Sequence, residues 1–490
     1  MASQPPQLHF ILFPLMAPGH TIPMIDIAKL LARRHTAVSI ITTPRNATRF
    51  GSSIDRAAQS GLRINLIRIQ FPSVEAGLPD GCENLDALPS LDMATNFFTA
   101  LNLLQKEVHQ VFDEMFPRPS CIISDMGLPW TTQLAEKHGI PRIVFHGTCC
   151  LSLLCSHNIR SSGILDTLSS EDDPFEVPGV PGQIMIRKSQ LAGSAMKKPS
   201  AVIKDVTEQI RAAEKTSFGV IVNSFVELEP DYVKAYSWAK GERVWCVGPV
   251  ALSNEDRLDL AERGIGSSAS PEHDCLKWLD RKQPGSVVYA SLGSLARLTR
   301  EQMAELGLGL EESNRPFLWA LGGGMSDELE RWLSEDGFEE RTKDRGFLIR
   351  GWAPQVLILA HKAVGGFVTH CGWNSTLEGI TAGVPMATWP FFADQFMNEK
   401  LVVRILGVGV SFGVEVPVRW GEEDKVGVLV RREDVVRVVG SLMDEGAEEG
   451  KERRKKAGEL AEKARRAVEE GGSSFLNVGM LIEEIRGSVG

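Results

Sequence analysis

No stretch of this sequence reaches the roughly 18 consecutive apolar residues that a membrane-crossing helix requires, so no membrane span is expected. The first residues, MASQPPQLHFILFPLM, lack a basic segment ahead of the apolar run, and Pro14 breaks that run. This is not the pattern of a signal peptide. Cysteine is sparse, at 8 in 490 residues without regular spacing. That excludes a disulfide scaffold and points to a reducing compartment. The adjacent Cys149 and Cys150 lie in an apolar run and read as buried thiols. Positive charge is not in excess: the net charge is −10, which disfavours nucleic acid and anionic membrane as partners. The basic run Lys451–Lys456 (KERRKK) alternates with acidic residues and reads as a solvated helix face. His370–Cys371 has no second ligand cluster at metal-binding spacing, so no metal site is expected. These absences leave a cytoplasmic enzyme, expected to be a monomer.

What is present is an ordinary globular composition, 43% hydrophobic and 24% charged, on a chain too long for one core. Short apolar runs alternate with helical patterns. LHFILFP (8–14) is followed by the turn MAPGH (16–20), then by apolar residues at helical spacing from Thr21. AVSIITT (37–43), CIISD (121–125) and RIVFH (142–146) are further strands, and PWTTQLAEKHG is a helix ending at Gly139. The pattern loosens between about 151 and 216, with an irregular loop at 172–182, and resumes at FGVIVNSF (218–225) and VWCVGPV (244–250). The alternation restarts at SVVYASLGS (286–294), with a helix from about Thr299 to Ser313 and strands in PFLWALG, GFLIRGW and AVGGFVTH. Such alternation predicts two doubly wound, Rossmann-like α/β domains facing a cleft. The expected boundaries are 1–252 for the first domain, 253–274 for a polar linker or mobile loop, 275–473 for the second domain and 474–490 for a C-terminal helix packing back on the first.

The run WAPQVLILAHKAVGGFVTHCGWNSTLEGITAGVPMATWPFFADQ (352–395) carries the chemistry. A strand ends near His370, Gly372 permits a tight turn, and Trp373–Ala382 reads as a helix. Free N–H groups and the positive dipole end make such a terminus an anion site, suited to phosphate. Asn374 and Ser375 can add side-chain donors. Glu378 lies one turn further along the same side, where a carboxylate would repel phosphate but accept ribose hydroxyls. Trp352 can stack on a base. Asp394 and Gln395, after another short strand, suit the vicinal hydroxyls of a sugar. Together these residues describe a nucleotide-sugar site.

W-A-P-Q at 352–355, H-C-G-W-N-S at 370–375, Glu378, Gly383, Pro385 and D-Q at 394–395 resemble the long conserved box of plant family-1 UDP-dependent glycosyltransferases. The resemblance extends over essentially the whole chain and implies the two-domain GT-B fold. It implies that Trp352 stacks on uracil, that the main chain of Ala353 binds the uracil edge, and that Gln355 and Glu378 hold the ribose. It assigns the diphosphate to Ser294, His370, Asn374 and Ser375, and the sugar hydroxyls to Trp373, Asp394 and Gln395, of which Trp373 and Gln395 are the types the family pairs with glucose. UDP-glucose would then be the co-substrate, with no cofactor.

Transfer to a hydroxyl needs a base. His20 follows the first strand, at a helix start whose dipole favours the neutral imidazole. Asp125 closes another strand, also at a carboxyl end, and is the candidate partner that orients the ring; it could equally cap the helix that follows. The resemblance implies that His20 and Asp125 are the catalytic dyad of a single, inverting displacement. Met93, Phe97, Met126, Phe145 and Phe392 are the candidate lining of an apolar acceptor pocket. GLPDGCENLDALPS (77–90) and DMGLPWT (125–131) resemble a subgroup acting on flavonoids, triterpenoids and steroids, which makes a flavonoid the first expectation for the aglycone. Another donor sugar, or C-glycosylation, fits the same fold. A nucleotide-sugar-binding protein without catalysis is disfavoured by the presence of both His20 and Asp125.

Overall fold

The computed structural model describes residues 7–194, 196, 199–254, 256–261, 272–295, 297–322, 325–420 and 422–489. The chain begins with β1 (His9–Phe13), α1 (Pro18–Arg33), β2 (Ala37–Thr42), α2 (Pro44–Gln59), β3 (Ile64–Arg68), β4 (Cys121–Asp125), α3 (Thr131–His138) and β5 (Arg142–His146). Then come α4 (Cys150–Ser162), β6 (Pro174–Glu176), β7 (Met185–Arg187), α5 (Ala201–Thr216), β8 (Gly219–Val222) and β9 (Val244–Cys246). Apart from the antiparallel pair β6–β7, these strands form one parallel sheet in the order β3-β2-β1-β4-β5-β8-β9. Every residue of β1, β4 and β5 is buried. That is why they read as continuous apolar runs: helices cover both faces of a parallel sheet.

The second half holds β10 (Val287–Ser291), α6 (Arg300–Glu312), β11 (Phe317–Ala320), β12 (Gly346–Ile349), β13 (Val364–Thr369), α7 (Trp373–Ala382), β14 (Met386–Thr388), α8 (Gln395–Lys400) and β15 (Gly409–Ser411). These strands form a second parallel sheet, ordered β12-β11-β10-β13-β14-β15. Two long helices close the chain, α9 (Glu448–Val468) and α10 (Ser473–Val489). In α9 the charged residues face solvent, while Ala457, Leu460, Ala461, Ala464 and Ala467 are buried. In α10, Val478, Leu481, Ile482 and Ile485 join Phe10, Ile221 and Trp245 of the first domain in one apolar cluster.

Two expectations change. The loosened stretch contains α4, whose residues Leu151, Leu153, Leu154, Cys155 and Ile159 are all buried, so that no polar stripe marks it as helical. Its first N–H groups, on Cys150 and Leu151, donate to the Glu229 carboxylate at 2.9 and 2.8 Å. Glu229 stands 79 and 78 residues away, a cap invisible to local reading. The loop 172–182 contains one strand of the β6–β7 hairpin, pinned by the buried Phe175 and Ile186. Of the expected linker 253–274, residues 255 and 262–271 lie outside the described residues. Its Asp259 is bound to the first domain by Lys29 at 2.5 Å and Arg56 at 2.6 Å.

All eight cysteines are buried and none is in a disulfide. No described helix is long and apolar enough to cross a membrane. Leu481 is fully buried where α10 meets the first domain. Leu481→Ala should cost about 2–5 kcal/mol, read as a lower midpoint of urea unfolding with the slope unchanged.

Candidate active site

Each sheet reverses its strand order once, between β1 and β4 in the first and between β10 and β13 in the second. Connections leave such a point in opposite directions and open a crevice at the carboxyl ends of the strands. The segment after β1 and the last residue of β4 bring His20 and Asp125 to the first crevice. The segments after β10 and β13 bring Ser294 and His370–Ser375 to the second. The two crevices face each other across one cleft of about 560 Å³, within the usual range for small-molecule sites.

His20 sits in the first turn of α1, where Pro18 sets the helical backbone angle. Its Nδ1 lies 2.7 Å from Asp125 Oδ2; the histidine side chain is 31% exposed and the carboxylate is fully buried. Asp125 Oδ1 accepts from Gly127 N at 2.9 Å, so both oxygens are occupied. The carboxylate makes no cap to α3, which begins at Thr131 without a side-chain cap. Burial draws the His20 imidazole toward its neutral form. The Asp125 carboxylate outweighs that, Asp394 adds to it, and the net shift is upward from the ordinary value. The shift runs opposite to the one expected from the helix dipole, because the ion pair is the larger effect. With Nδ1 held by Asp125, Nε2 is the nitrogen left to exchange a proton.

The opposite wall begins at α7, in the span expected for it. His370 is wedged between glycines: a Cβ on Gly293, whose φ is +84°, would lie 2.6 Å from the ring. Burial pushes its pKa down to about 4, so at neutral pH the ring is uncharged. Its Nδ1 is buried without a hydrogen-bond partner among the described residues, and a ring nitrogen so placed can serve a polar ligand. Gln355 Nε2 donates to Glu378 Oε2 at 2.8 Å and to Ser375 Oγ at 2.9 Å. The Tyr289 hydroxyl donates to Gln355 Oε1 at 3.2 Å. Ser294, Trp352 and Ala353 line the same cleft.

Asp394 and Gln395 stand where the two walls meet. Thr148, from the first domain, donates its hydroxyl to Asp394 Oδ2 at 2.5 Å, and Asn398 Nδ2 donates to the same oxygen at 2.8 Å. Burial still raises the Asp394 pKa above the ordinary value. Gln395 accepts with Oε1 from the N–H groups of Phe391 and Phe392, at 2.8 and 3.2 Å, which leaves its amide nitrogen to donate. Asn374 Nδ2 donates across the cleft to the carbonyl of Gly19 at 2.7 Å.

The structure corrects part of the expected set. The Trp373 ring is 3% exposed, and its indole N–H donates to the Asn223 carbonyl at 2.7 Å. That donor is therefore not free for a sugar hydroxyl. Phe97 and Phe145 have no exposed surface. Phe97 packs between Phe71 and Phe98, and Phe145 lies in the core beneath the sheet. Neither can line a pocket. Met93 and Met126 are half-buried and lie outside the cleft lining, whereas Phe392 belongs to it. Sequence reading missed Thr148, Asn223, Asn398 and Gly293. Gly293 alone had a local signal, the Gly-Ser turn closing its strand.

The chain also has relatives of known kind. A family model for UDP-glucoronosyl and UDP-glucosyl transferase matches residues 264–416. UDP-glycosyltransferase 73C25 of Barbarea vulgaris is 53% identical over 480 residues, 98% of this chain and 96% of that protein. The crystal structure of Glycyrrhiza uralensis UGT73P12, complexed with glycyrrhetinic acid 3-O-monoglucuronide, matches with a TM-score of 0.87 at 36% identity, covering 99% of this chain and 96% of that one. Medicago truncatula UGT71G1, complexed with UDP-glucose, matches with a TM-score of 0.78 at 27% identity, covering 99% and 100%. With identity this high along nearly its whole length, and with paired sheets meeting at one cleft, the chain belongs to the plant UDP-glycosyltransferases, enzymes of GT-B fold that move a sugar from a UDP-sugar to a small molecule.

Proposed function

We propose that this enzyme transfers glucose from UDP-glucose to a hydroxyl of a small lipophilic aglycone, with inversion, giving a β-O-glucoside. The observation that carries the reading is the His20–Asp125 pair at 2.7 Å, facing across one cleft the helix start at Gly372–Ser375. In this reading uracil stacks on Trp352 with its edge on the main chain of Ala353, and the ribose hydroxyls meet Gln355 and Glu378. The diphosphate lies against Ser294, His370, Asn374, Ser375 and the N-terminus of α7. The sugar meets Asp394 and the Gln395 amide, and Trp373 through its main chain.

His20 Nε2 takes the proton from the acceptor hydroxyl as its oxygen attacks the anomeric carbon. The bond from that carbon to the β-phosphate oxygen breaks, and UDP leaves with the electron pair. Asp125 balances the imidazolium that forms. The helix terminus and the neutral donors stabilise the departing charge. His370 contributes as an uncharged donor, because its proton affinity is too low for a cation at pH 7. The acceptor side of the cleft is apolar at Leu85, Leu295 and Phe392, and a flavonoid phenol is the first choice of acceptor. A triterpenoid is the second, favoured by the glycyrrhetinic acid derivative bound to UGT73P12.

Purified protein incubated with UDP-glucose and a panel of flavonoids, triterpenoids and steroids, with EDTA present, should give products heavier by one hexose. The anomeric proton coupling of each product should report a β-linkage; an α-linked product would refute the single displacement. His20→Ala should lower kcat by about 10²–10⁴-fold on alcohols, and by less on acidic phenols that lose their proton unaided. The neutral imidazole is the active form and its pKa is raised, so kcat/KM should climb with pH through a value above about 6.5 and level off beyond it. Asp125→Asn should lower the plateau and move that acid limb to lower pH, as measured in a pH series of kcat/KM.

A further inference from the structure

In the proposed donor site nearly every residue comes from the second domain. Arg49, in the first half of α2, is a first-domain residue at the far end of the same cleft. Its guanidinium carbon lies 5.1 Å from the centre of the Trp352 ring, within cation–π range. Asp86 holds Arg49 through an ion pair of 2.8 Å, with the two side chains 23% and 12% exposed. The segment carrying Asp86 is itself tied to α2. Arg45 N donates to Glu83 at 2.8 Å, and Asn84 donates to Asn46 at 2.6 Å. The cation is therefore kept at this end of the cleft before any ligand arrives, which reduces the ordering cost of using it.

A guanidinium is flat, permanently charged and weakly hydrated. A base entering against that indole needs a layer of about 3.5 Å on each side, more than the 5.1 Å now between cation and ring, so the guanidinium has to swing outward and then lies on the base instead of the indole. We propose that Arg49 is a donor-positioning residue supplied by the first domain. It closes over the nucleobase stacked on Trp352, so that the affinity for UDP-sugar depends on the two domains being shut together. This rests on the donor-site reading above. Its consequence is that a contact made to the base alone should tighten UDP as much as the UDP-sugar. The Asp86 segment also carries Leu85, which lines the cleft.

The test is calorimetric titration of UDP into the full-length protein and its variants. Arg49→Ala should weaken UDP binding about fivefold to tenfold and raise the donor KM by a similar factor, with the acceptor KM unmoved. Arg49→Lys should recover only part, since an ammonium keeps the charge but not the flat face. Asp86→Asn, which leaves Arg49 present but unanchored, should lie between wild type and Arg49→Ala and covers the case of a poorly folding alanine variant. In a Trp352→Leu background, Arg49→Ala should add little, because both changes act on one stack. Unchanged UDP affinity in Arg49→Ala, or effects that multiply in the double variant, would overturn the proposal. Failure of the wild type to bind UDP would overturn the donor-site reading itself, and this inference with it. Binding by the wild type that is weakened in Trp352→Leu but unchanged in Arg49→Ala would overturn this inference alone.

Discussion

The buried seam between the two domains holds the two halves of the site in register, and at the base it is joined by the hydrogen bond from the Asn374 amide to the Gly19 carbonyl. That bond joins the first turn of α7 to the residue before His20. Base and leaving-group site sit on different sheets, each with its own core, and a displacement reaction tolerates little error between them. Other bonds across the same seam reinforce it: Trp373 to Asn223, Thr148 to Asp394, and the Cys149 thiol to Asn398. Apolar contact continues across it as well. Leu151 and Phe225 from one side cluster with Trp373, Leu377 and Met397 from the other. The seam is part of the site as much as of the fold.

Two histidines in one cleft illustrate how surroundings divide labour. Both are drawn toward neutrality by burial. His20 has a carboxylate at 2.7 Å and ends with a raised pKa. His370 is packed between glycines, has no charged partner to oppose burial, and falls to about 4. One ring can take up a proton during a turnover; the other stays an uncharged donor. The residue type is the same, so the difference is a property of what each ring is folded against.

Much of this was legible in the chain. The covered strands appear as unbroken apolar runs because burial on both faces removes any alternation. The helix Trp373–Ala382 was bounded correctly because Gly372 and Gly383 mark both its ends, the latter with φ +70°. The donor wall could be read because one continuous stretch supplies most of it. The seam could not, since its partners lie 150, 246 and 249 residues apart and nothing local announces them. Nor could the acceptor side. Phe97 and Phe145 are apolar residues near strand or helix ends, as pocket residues are, and only packing reveals that they are sealed in the core. Trp373 shows the same limit: its place near the sugar site was readable, but not that its indole had turned to the other domain.

The return of α10 to the first domain has a mechanical meaning. The chain passes from one domain to the other between β9 and β10, and back again between α9 and α10. A single tether would let two bodies swing and twist freely. Two tethers leave mainly one motion, rotation about the line joining them, as a door turns on a pair of pins. The walls of the cleft are thereby joined at two crossings of the chain, which limits how far one can slide along the other.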